Sequence, residues 1–316
     1  MKKSILIVYL LSAFVASAQT VKQGTLSNVT KLTTGFIKYE NPQWSKDGQK
    51  IAFTEWGWNN LYVMDNNGLN LKQISKDSGV GYGYQWSVDS KEILVRDTRW
   101  SDDGRLHAIW SVKMTGEKLK LSEDAVYLQP AAWRYSSRGK KSIILPDGKI
   151  SANVSKLETV SNSRLKSAKT INKAINKSFL VEDENFYLVD ESGNKKLIND
   201  KVTLCASFSP DGNKIAFVEA DFVCIMNIDG SNKKQLTRGF NPSWVNNSQL
   251  VYELTTDNGH EYTGGDLYIV NINNGATKQM THSANMIEMY PTVSPDGNQL
   301  LFVDFNDGQI YSATLK

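Results

Sequence analysis

An internal repeat constrains the fold of this chain more than any other feature. Each copy has an aromatic residue, a tight turn, two apolar strands and a short strand that often ends in Leu-Thr. The clearest copies begin at Trp44 and Phe208, and others begin near Trp86, Trp133, Trp244 and Val293. A period of roughly 40 residues indicates one supersecondary unit used many times.

The turns inside the repeat indicate that its strands are antiparallel. Ser-Pro-Asp-Gly at 209–212 combines a Pro that presets φ, an Asp that accepts bonds from nearby backbone N–H groups, and a Gly suited to positive φ. Asp65 to Gly68 has the Asp-x-x-Gly pattern of a second hairpin turn. Four strands in each unit of this length are typical of a β-propeller blade, so we predict an all-β propeller.

The two ends of the chain are predicted to meet. The last unit, from Tyr290 to Lys316, supplies only three strands, and the outer edge of its third strand needs a partner. Residues 29–33 read Val-Thr-Lys-Leu-Thr and resemble the fourth strands at 234–237 and 278–281. We therefore expect residues 25–33 to complete the last blade.

The number of blades depends on the middle of the chain. Residues 123–200 hold a weak first strand at Trp133, an apolar strand at 142–145 and a clear hairpin from Phe186 to Ile198. A polar stretch at 151–177 separates them. Two degenerate blades would give seven in all, and one blade with a long insertion would give six. The spacing favours seven, because long structureless loops are uncommon inside compact domains.

The N-terminus has the pattern of a secretory signal peptide. Lys2 and Lys3 precede an apolar run from Ile5 to Val15, and Ala-Ser-Ala at 16–18 forms a cleavage signal. The run is too short to span a bilayer, and no Cys follows it for lipid attachment. We expect cleavage after Ala18, a single propeller domain at 19–316, a periplasmic or secreted location, and no membrane insertion.

Charge and cysteine content narrow the function classes. Removal of residues 1–18 lowers the formal charge from +3 to +1, with 34 basic and 33 acidic residues remaining. Nucleic-acid binding needs a basic face, so we expect no nucleic-acid partner. Cys205 and Cys224 fall on the first and third strands of one unit, beyond disulfide reach, and are predicted to be buried free thiols. We expect a monomer.

The repeat resembles that of a known propeller family. Ser-Pro-Asp-Gly at 209–212 and 294–297, Ser-Lys-Asp-Gly at 45–48 and the endings Lys-Gln-Leu-Thr and Lys-Gln-Met-Thr are similar to the repeats of the TolB C-terminal domain, also called PD40 or WD40-like repeats. The resemblance covers nearly the whole mature chain and implies six blades. Repeats of this type occur in periplasmic scaffolds, peptidase propellers and some polysaccharide lyases, so the resemblance implies a fold and not one function. TolB also has an α/β domain ahead of its propeller, which we do not expect here.

No catalytic motif stands out in the sequence. His107, His260 and His282 could supply metal ligands, and the resemblance to polysaccharide lyases with such propellers implies a site that uses several histidines. Here the three are far apart and lack metal-ligand spacing. A Gly-x-Ser-x-Gly motif is absent. We therefore predict no catalytic residue, metal or cofactor.

The four-strand order of a blade sorts its connections onto two faces. Turns from the first to the second strand and from the third to the fourth lie on one face, called here the turn face. The other connections lie on the loop face, where long and irregular segments concentrate. Trp, Tyr and Arg are enriched at binding hot spots. The candidate binding residues on the loop face are Trp56, Trp58, Trp100, Arg105, His107, Asp257, His260, Glu261, Tyr262 and Glu288.

Two functions remain open at this point. The first is an exported, non-enzymatic binding or scaffold protein whose loop face recognises a protein segment or a glycan in the cell envelope. A single Trp on that face is equally explained by filling a gap between blades, so the group of three carries this prediction. The alternative is a polysaccharide-degrading enzyme, similar to a lyase, with His107, His260, Asp257 and Glu261 at the mouth of the central channel.

Overall fold

The computed structural model describes residues 24–102, 104–135, 141–144, 177–182, 184–190 and 192–316. These residues form strands and turns and contain no helix, so none of their segments is a helix able to cross a membrane. The strands are β1 (Leu26–Lys31), β2 (Tyr39–Trp44), β3 (Lys50–Glu55), β4 (Asn59–Asp65), β5 (Lys72–Ser75), β6 (Gln85–Trp86), β7 (Glu92–Ser101), β8 (Gly104–Lys113), β9 (Lys118–Lys120), β10 (Ala132–Tyr135), β11 (Lys141–Ile144), β12 (Ser178–Glu182), β13 (Asn185–Val189), β14 (Lys195–Asn199), β15 (Leu204–Phe208), β16 (Lys214–Glu219), β17 (Phe222–Asn227), β18 (Lys234–Arg238), β19 (Phe240–Asn246), β20 (Gln249–Asp257), β21 (Tyr262–Asn271), β22 (Thr277–Gln279), β23 (Glu288–Val293), β24 (Gln299–Asp304) and β25 (Gln309–Leu315).

The strands form the propeller blades that the repeat predicts. Five sheets have four strands each: β2–β5 (the first blade), β6–β9 (the second blade), β15–β18, β19–β22, and β23–β25 with β1 (the closing blade). All pairings within them are antiparallel. All link strands that are consecutive in the sequence, except for the pairing of β1 with β25. The all-β propeller is therefore confirmed.

Two shorter sheets lie between the second blade and β15. The first consists of β10 and β11 and the second of β12, β13 and β14, and β10 lies against β12. Together they form one irregular blade of five described strands, so the propeller has the six blades that the family resemblance implies and not the seven that the repeat spacing favours. The stretch at 151–176 on which that preference was based lies outside the described residues.

The N-terminal strand closes the ring as predicted. Residues of β1 pair antiparallel with β25, with Leu26 opposite Leu315 and Lys31 opposite Tyr311. Lys31 also forms an ion pair with Asp307, with Nζ and Oδ2 2.8 Å apart. Because the partners are nearly 300 positions apart in the sequence, this pairing is a non-local contact that closes the ring.

Where the repeat has its Trp, this residue joins the blade to the one before it. The indole N–H of Trp86 donates to the carbonyl of Gln43, and the indole of Trp133 donates to Gln85. Across the closure, Trp44 donates to Thr292 in the same manner. The first strand of a blade thus carries both an apolar ring for the inter-blade core and a hydrogen-bond donor to its neighbour, which explains why the repeat keeps this residue.

The turn face is built from stereotyped hydrogen bonds. In the turn before β16, the Ser209 hydroxyl donates to Asp211 Oδ1 at 2.7 Å and accepts from Lys214 N at 2.9 Å. Asp211 Oδ1 also accepts from Asn213 N, and Gly212 has φ 66°. The turns at Ser45 and Ser294 repeat this pattern, as the Ser-x-Asp-Gly motif predicts.

The innermost strand of several blades has a bulge. Asn41, Cys205, Asn241 and Tyr290 occupy equivalent positions in β2, β15, β19 and β23, and all have φ between 48° and 55°. The strand register shifts at each of these sites. Both cysteines are free, as predicted, and Cys224 is buried. The prediction that Cys205 is also buried is wrong: it is exposed, because it lies at the bulge of an innermost strand.

Candidate functional site

The loop face contains the second-to-third connections that the strand order predicts. They join β3 to β4, β7 to β8, β20 to β21 and β24 to β25, opposite the Ser-x-Asp-Gly turns. The hairpins β7–β8 and β20–β21 have strands of 9 or 10 residues, longer than the 6 of β16 and β17. They therefore extend the loop face beyond the body of the ring.

Three aromatic rings from three blades meet on this face. The ring of Phe305 contacts Trp56 at 5.1 Å between centroids and Tyr262 at 5.2 Å, both edge to face. Trp56 and Tyr262 nevertheless remain 46% and 38% exposed. Sequence reasoning named these two and missed Phe305, whose connection is short and resembles an ordinary turn. Its position directly after the second strand of the last unit was the available signal.

A second pair of rings continues this surface. Trp58 follows Trp56 after Gly57 in the same turn, and its ring lies 5.3 Å from that of Tyr82. Tyr82 belongs to the connection between the first and second blades. We call Tyr262, Phe305, Trp56, Trp58 and Tyr82 the aromatic arc, which passes over β19–β22, the closing blade, the first blade and the edge of the second.

The first-blade turn is held by a buried carboxylate. Glu40 in β2 is 3% exposed, and its Oε1 accepts from the backbone N–H of Trp58 at 2.6 Å. Burial raises the pKa of Glu40, while bonds from the backbone of Trp58 and Gly57 act in the opposite direction. Trp58 itself has φ 61°, in the left-handed region that favours glycine. The backbone here is fixed in a conformation that keeps the indole outward.

Arg96 lies at one end of the aromatic arc. Its guanidinium carbon is 4.5 Å from the centroid of Tyr82, and Nη1 donates to the carbonyl of Leu128 at 3.0 Å. The residue is 8% exposed, and its Nε has no hydrogen-bond partner among the described residues. Burial lowers the pKa of Arg96 and the charge of Arg105 acts in the same direction, whereas Tyr82 and Asp97 act in the opposite direction.

Trp100 and Arg105 lie farther along the β7–β8 hairpin. They face each other across its two strands, and Trp100 is 80% exposed. Arg105 is also exposed. The structure thus places Trp100 on the loop face but outside the ring contacts of the aromatic arc.

His107 and Glu288 are buried. His107 Nδ1 lies 3.0 Å from the carbonyl oxygen of Asp97 and 3.1 Å from the Thr98 hydroxyl. Burial lowers the pKa of His107. Glu288 begins β23 with 1% exposure, and burial raises its pKa. Both are in positions suited to supporting the blades rather than to contacting a ligand.

Asp257, His260 and Glu261 form the tip of the β20–β21 hairpin and are exposed. The Asn258 side chain accepts from the backbone N–H groups of His260 and Glu261, so the tip is a defined turn. In the described part of the chain, no group of three His, Cys, Asp or Glu side chains is arranged to hold a metal ion. The structure does not bring His107 and His260 into one such group.

A buried carboxylate at the innermost strands was also missed from the sequence. Glu253 in β20 accepts from Asn241 Nδ2 at 2.8 Å and from the backbone N–H of Tyr290. Burial raises the pKa of Glu253 to about 7. Cys205 Sγ donates to Asn241 Oδ1 at 3.0 Å. Cys205 is exposed as a residue, but burial of its thiol among protein atoms raises the pKa of Cys205 to about 11, so the thiol is not activated as a nucleophile.

Comparison with known proteins identifies a fold and no family. No model of a known protein family matches the chain, and no curated protein matches it. Among solved structures, an oligogalacturonate lyase from Vibrio parahaemolyticus matches with TM-score 0.55 and 16% identity over 92% of this chain and 95% of that one. A putative TolB from Agrobacterium tumefaciens matches with TM-score 0.55 and 15% identity over 91% and 97%.

A third similar structure is the β-propeller domain of Cps50 (Swd1) from Myceliophteria thermophila, with TM-score 0.59 and 11% identity over 92% of this chain and 99% of that one. The resemblance to TolB-like propellers, first based on the repeats, is therefore confirmed for the fold. At these identities a shared fold does not transfer an activity.

Proposed function

We propose that this chain is an exported binding protein whose loop face recognises a protein segment or a glycan of the cell envelope through the aromatic arc. The observation that carries the proposal is the contact of Trp56 and Tyr262 with Phe305, which joins exposed rings from three blades. Soluble proteins seldom expose contiguous apolar surface without a partner for it. Large aromatic side chains supply most of the binding energy in many interfaces.

The shape of the arc favours an extended ligand. Its rings pass over four sheets along the rim rather than surrounding a deep cavity, and the cleft beside Trp56 and Phe305 is too small to enclose a ligand. Lys38 Nζ lies 5.7 Å from the centroid of Phe305 and provides a charged group at the edge of this surface. A polymer lying across the arc would contact several rings at once, which a small ligand could not do.

The test begins by finding a ligand for the protein lacking residues 1–18. A glycan array and a pull-down from envelope extract supply candidates, and calorimetry measures the affinity of the best one. Phe305→Ala should weaken binding, whereas Leu69→Ala on the turn face, also an exposed apolar residue, should not. Equal weakening by both variants, or unchanged binding in both, would contradict the assignment of the site.

A second function is polysaccharide cleavage, favoured by the fold shared with the oligogalacturonate lyase. The residues for it would be His260, Asp257 and Glu261, which are exposed at one hairpin tip, together with the buried His107. Its test is the appearance of unsaturated product when the protein is incubated with oligogalacturonate. Turnover that His260→Ala abolishes without loss of folding would replace the binding proposal with this one.

A further inference from the structure

Arg96 is a buried cation to which no carboxylate among the described residues is hydrogen-bonded. Its neighbour in the chain, Asp97, uses Oδ2 for an ion pair with Arg99 Nε at 2.9 Å and Oδ1 for the backbone of Ala108. Within the described part of the chain, the polar contact of Arg96 is the carbonyl of Leu128, and its Nε is unsatisfied. A guanidinium stays charged at neutral pH, and burying one without an anion is costly.

The surroundings of Arg96 compensate for its charge only in part, because Tyr82 and Asp97 favour the charged guanidinium whereas Arg105 opposes it. The charges of Arg96 and Arg105 both act on His107, whose pKa is lowered first by burial and then by these two groups. The acidic residue nearest in sequence is already engaged by Arg99. This part of the loop face therefore favours an anion that the described residues do not supply.

The position of Arg96 within its blade places it at the channel side of the loop face. Arg96 in β7 is equivalent to Glu253 in β20, since each is the fifth residue of the second strand of its sheet. Glu253 reaches the next blade by bonding to Tyr290 N, and Arg96 reaches Leu128, just before β10, in the same way. The guanidinium thus lies between two adjacent sheets, below Tyr82 of the aromatic arc.

We infer that Arg96 binds the carboxylate of an Asp or Glu side chain from a protein segment that lies along the aromatic arc. Access to the guanidinium is narrow, because Tyr82 covers one side and only 8% of the residue is exposed. A carboxylate on a slender methylene stem needs less room to reach the guanidinium than a bulkier anion does. A carboxylate attached directly to a sugar ring would bring the ring against Tyr82.

This inference rests on the proposed function, because it places the ligand on the loop face and specifies its charge. It selects the protein segment over the glycan. The arc supplies apolar contacts, and Arg96 at its end fixes the register through charge-assisted hydrogen bonds to both carboxylate oxygens.

The test uses small probes and does not require the natural ligand. The Nε–H resonance of Arg96 is followed in an assigned nitrogen–proton spectrum of the mature protein. The probes are the α-amide of N-acetylglutamic acid, its neutral glutamine counterpart, and glucuronic acid. We expect the glutamate probe to shift this resonance in a saturable manner and the other two to leave it in place. The Nε–H of Arg238, an exposed arginine paired with Asp221, is the internal control.

A variant pair extends the test. Arg96→Gln should weaken binding of the glutamate probe by roughly tenfold or more, while Arg238→Gln leaves it unchanged. No response to any probe would overturn the anion site, and a response to glucuronic acid equal to that for glutamate would overturn the choice of an acidic side chain. If Arg96→Gln does not fold, the titration of the wild-type protein alone decides whether an anion binds and whether an acidic side chain is preferred. Ligand binding that depends on Phe305 without a probe response at Arg96 would leave the proposed function standing and remove this inference alone.

Discussion

The carboxylate of Glu253 accepts a hydrogen bond from the backbone N–H of Tyr290 in the next blade. Tyr290 is the residue of β23 with φ 55°, so the bond holds the inner bulge of the closing blade. The other oxygen of Glu253 accepts from Asn241, the bulge residue of its own blade. One buried carboxylate therefore fixes two bulges, and its protonation state affects the junction between two blades.

The first prediction concerns the pH dependence of this junction. Burial raises the pKa of Glu253 from 4.5 to about 7 in the folded chain. The folded state thus binds a proton that the unfolded state has released between these values, so the contribution of Glu253 to stability decreases as pH rises from about 4.5 to 7. The change is on the order of 3 kcal/mol. Glu253→Gln should remove it.

The measurement is the difference between the urea unfolding free energies of wild type and Glu253→Gln at several pH values. Taking the difference cancels the contribution to the pH dependence from acidic groups with lowered pKa values, such as Asp65, because that contribution is the same in both proteins and has the opposite sign. Glu219→Gln, at a partly buried ion pair with Lys233, is the control. A difference that stays flat between pH 4.5 and 7 would show that Glu253 does not titrate in this range.

The second prediction concerns ring closure. Deleting residues 19–33 removes β1, exposes the edge of β25 and removes the Thr33 hydroxyl that accepts from the backbone N–H of Ile310 at 2.9 Å. The melting temperature should fall by roughly 5 °C or more. Deleting only residues 19–23 keeps β1 and is the matched control. If both truncated proteins have the same melting temperature as the full mature chain, the closure contributes nothing to stability.

The third prediction concerns the turn face. Burial alone would raise the pKa of Asp211, but hydrogen bonds from Ser209 and Asn213 lower it overall. Asp211→Ala removes these bonds and should destabilise the chain by about 2 kcal/mol at neutral pH. The loss should shrink as pH falls below 4, because the wild-type carboxylate is then protonated. Asp257→Ala at the exposed hairpin tip should change stability little, and calorimetric melts compare the two.

The fourth prediction concerns export. The small residues at 16–18 follow the apolar run of the N-terminus, so cleavage should occur after Ala18. Intact-mass spectrometry of the exported protein should give a chain beginning at Gln19. A chain that keeps residue 1, or carries a lipid, would contradict both the cleavage and the predicted location.

The sequence predicted what the repeat encodes and missed what depends on single positions. Trp44 was recognisable because the same inter-blade hydrogen bond requires it in several copies. Phe305 was missed because it follows a short connection without unusual composition. Arg96 and Glu253 were missed because each interrupts an apolar strand only once, and their significance depends on the adjacent blade. The exposure of Cys205 was missed because nothing in the local composition indicates the inner-strand bulge at this residue.

The last prediction separates the three Trp residues that the sequence treated as one group. Trp56 contacts Phe305, Trp58 contacts Tyr82, and Trp100 has no ring contact among the described residues. If the ligand lies along the aromatic arc, Trp56→Ala and Trp58→Ala should each weaken binding by about 2 kcal/mol, and Trp100→Ala should weaken it by less than about 0.5 kcal/mol.

Calorimetry with the ligand from the glycan array or pull-down measures these differences, and thermal melts verify that each variant remains folded. Trp100 is the most exposed of the three, so a site formed simply by accessible aromatic surface would make it the most sensitive position. A ligand recognised by rings that adjacent blades hold in place would make it the least sensitive. A larger loss for Trp100→Ala than for Trp56→Ala would move the site from the aromatic arc to the tip of the β7–β8 hairpin, where Arg105 faces Trp100 across the strands.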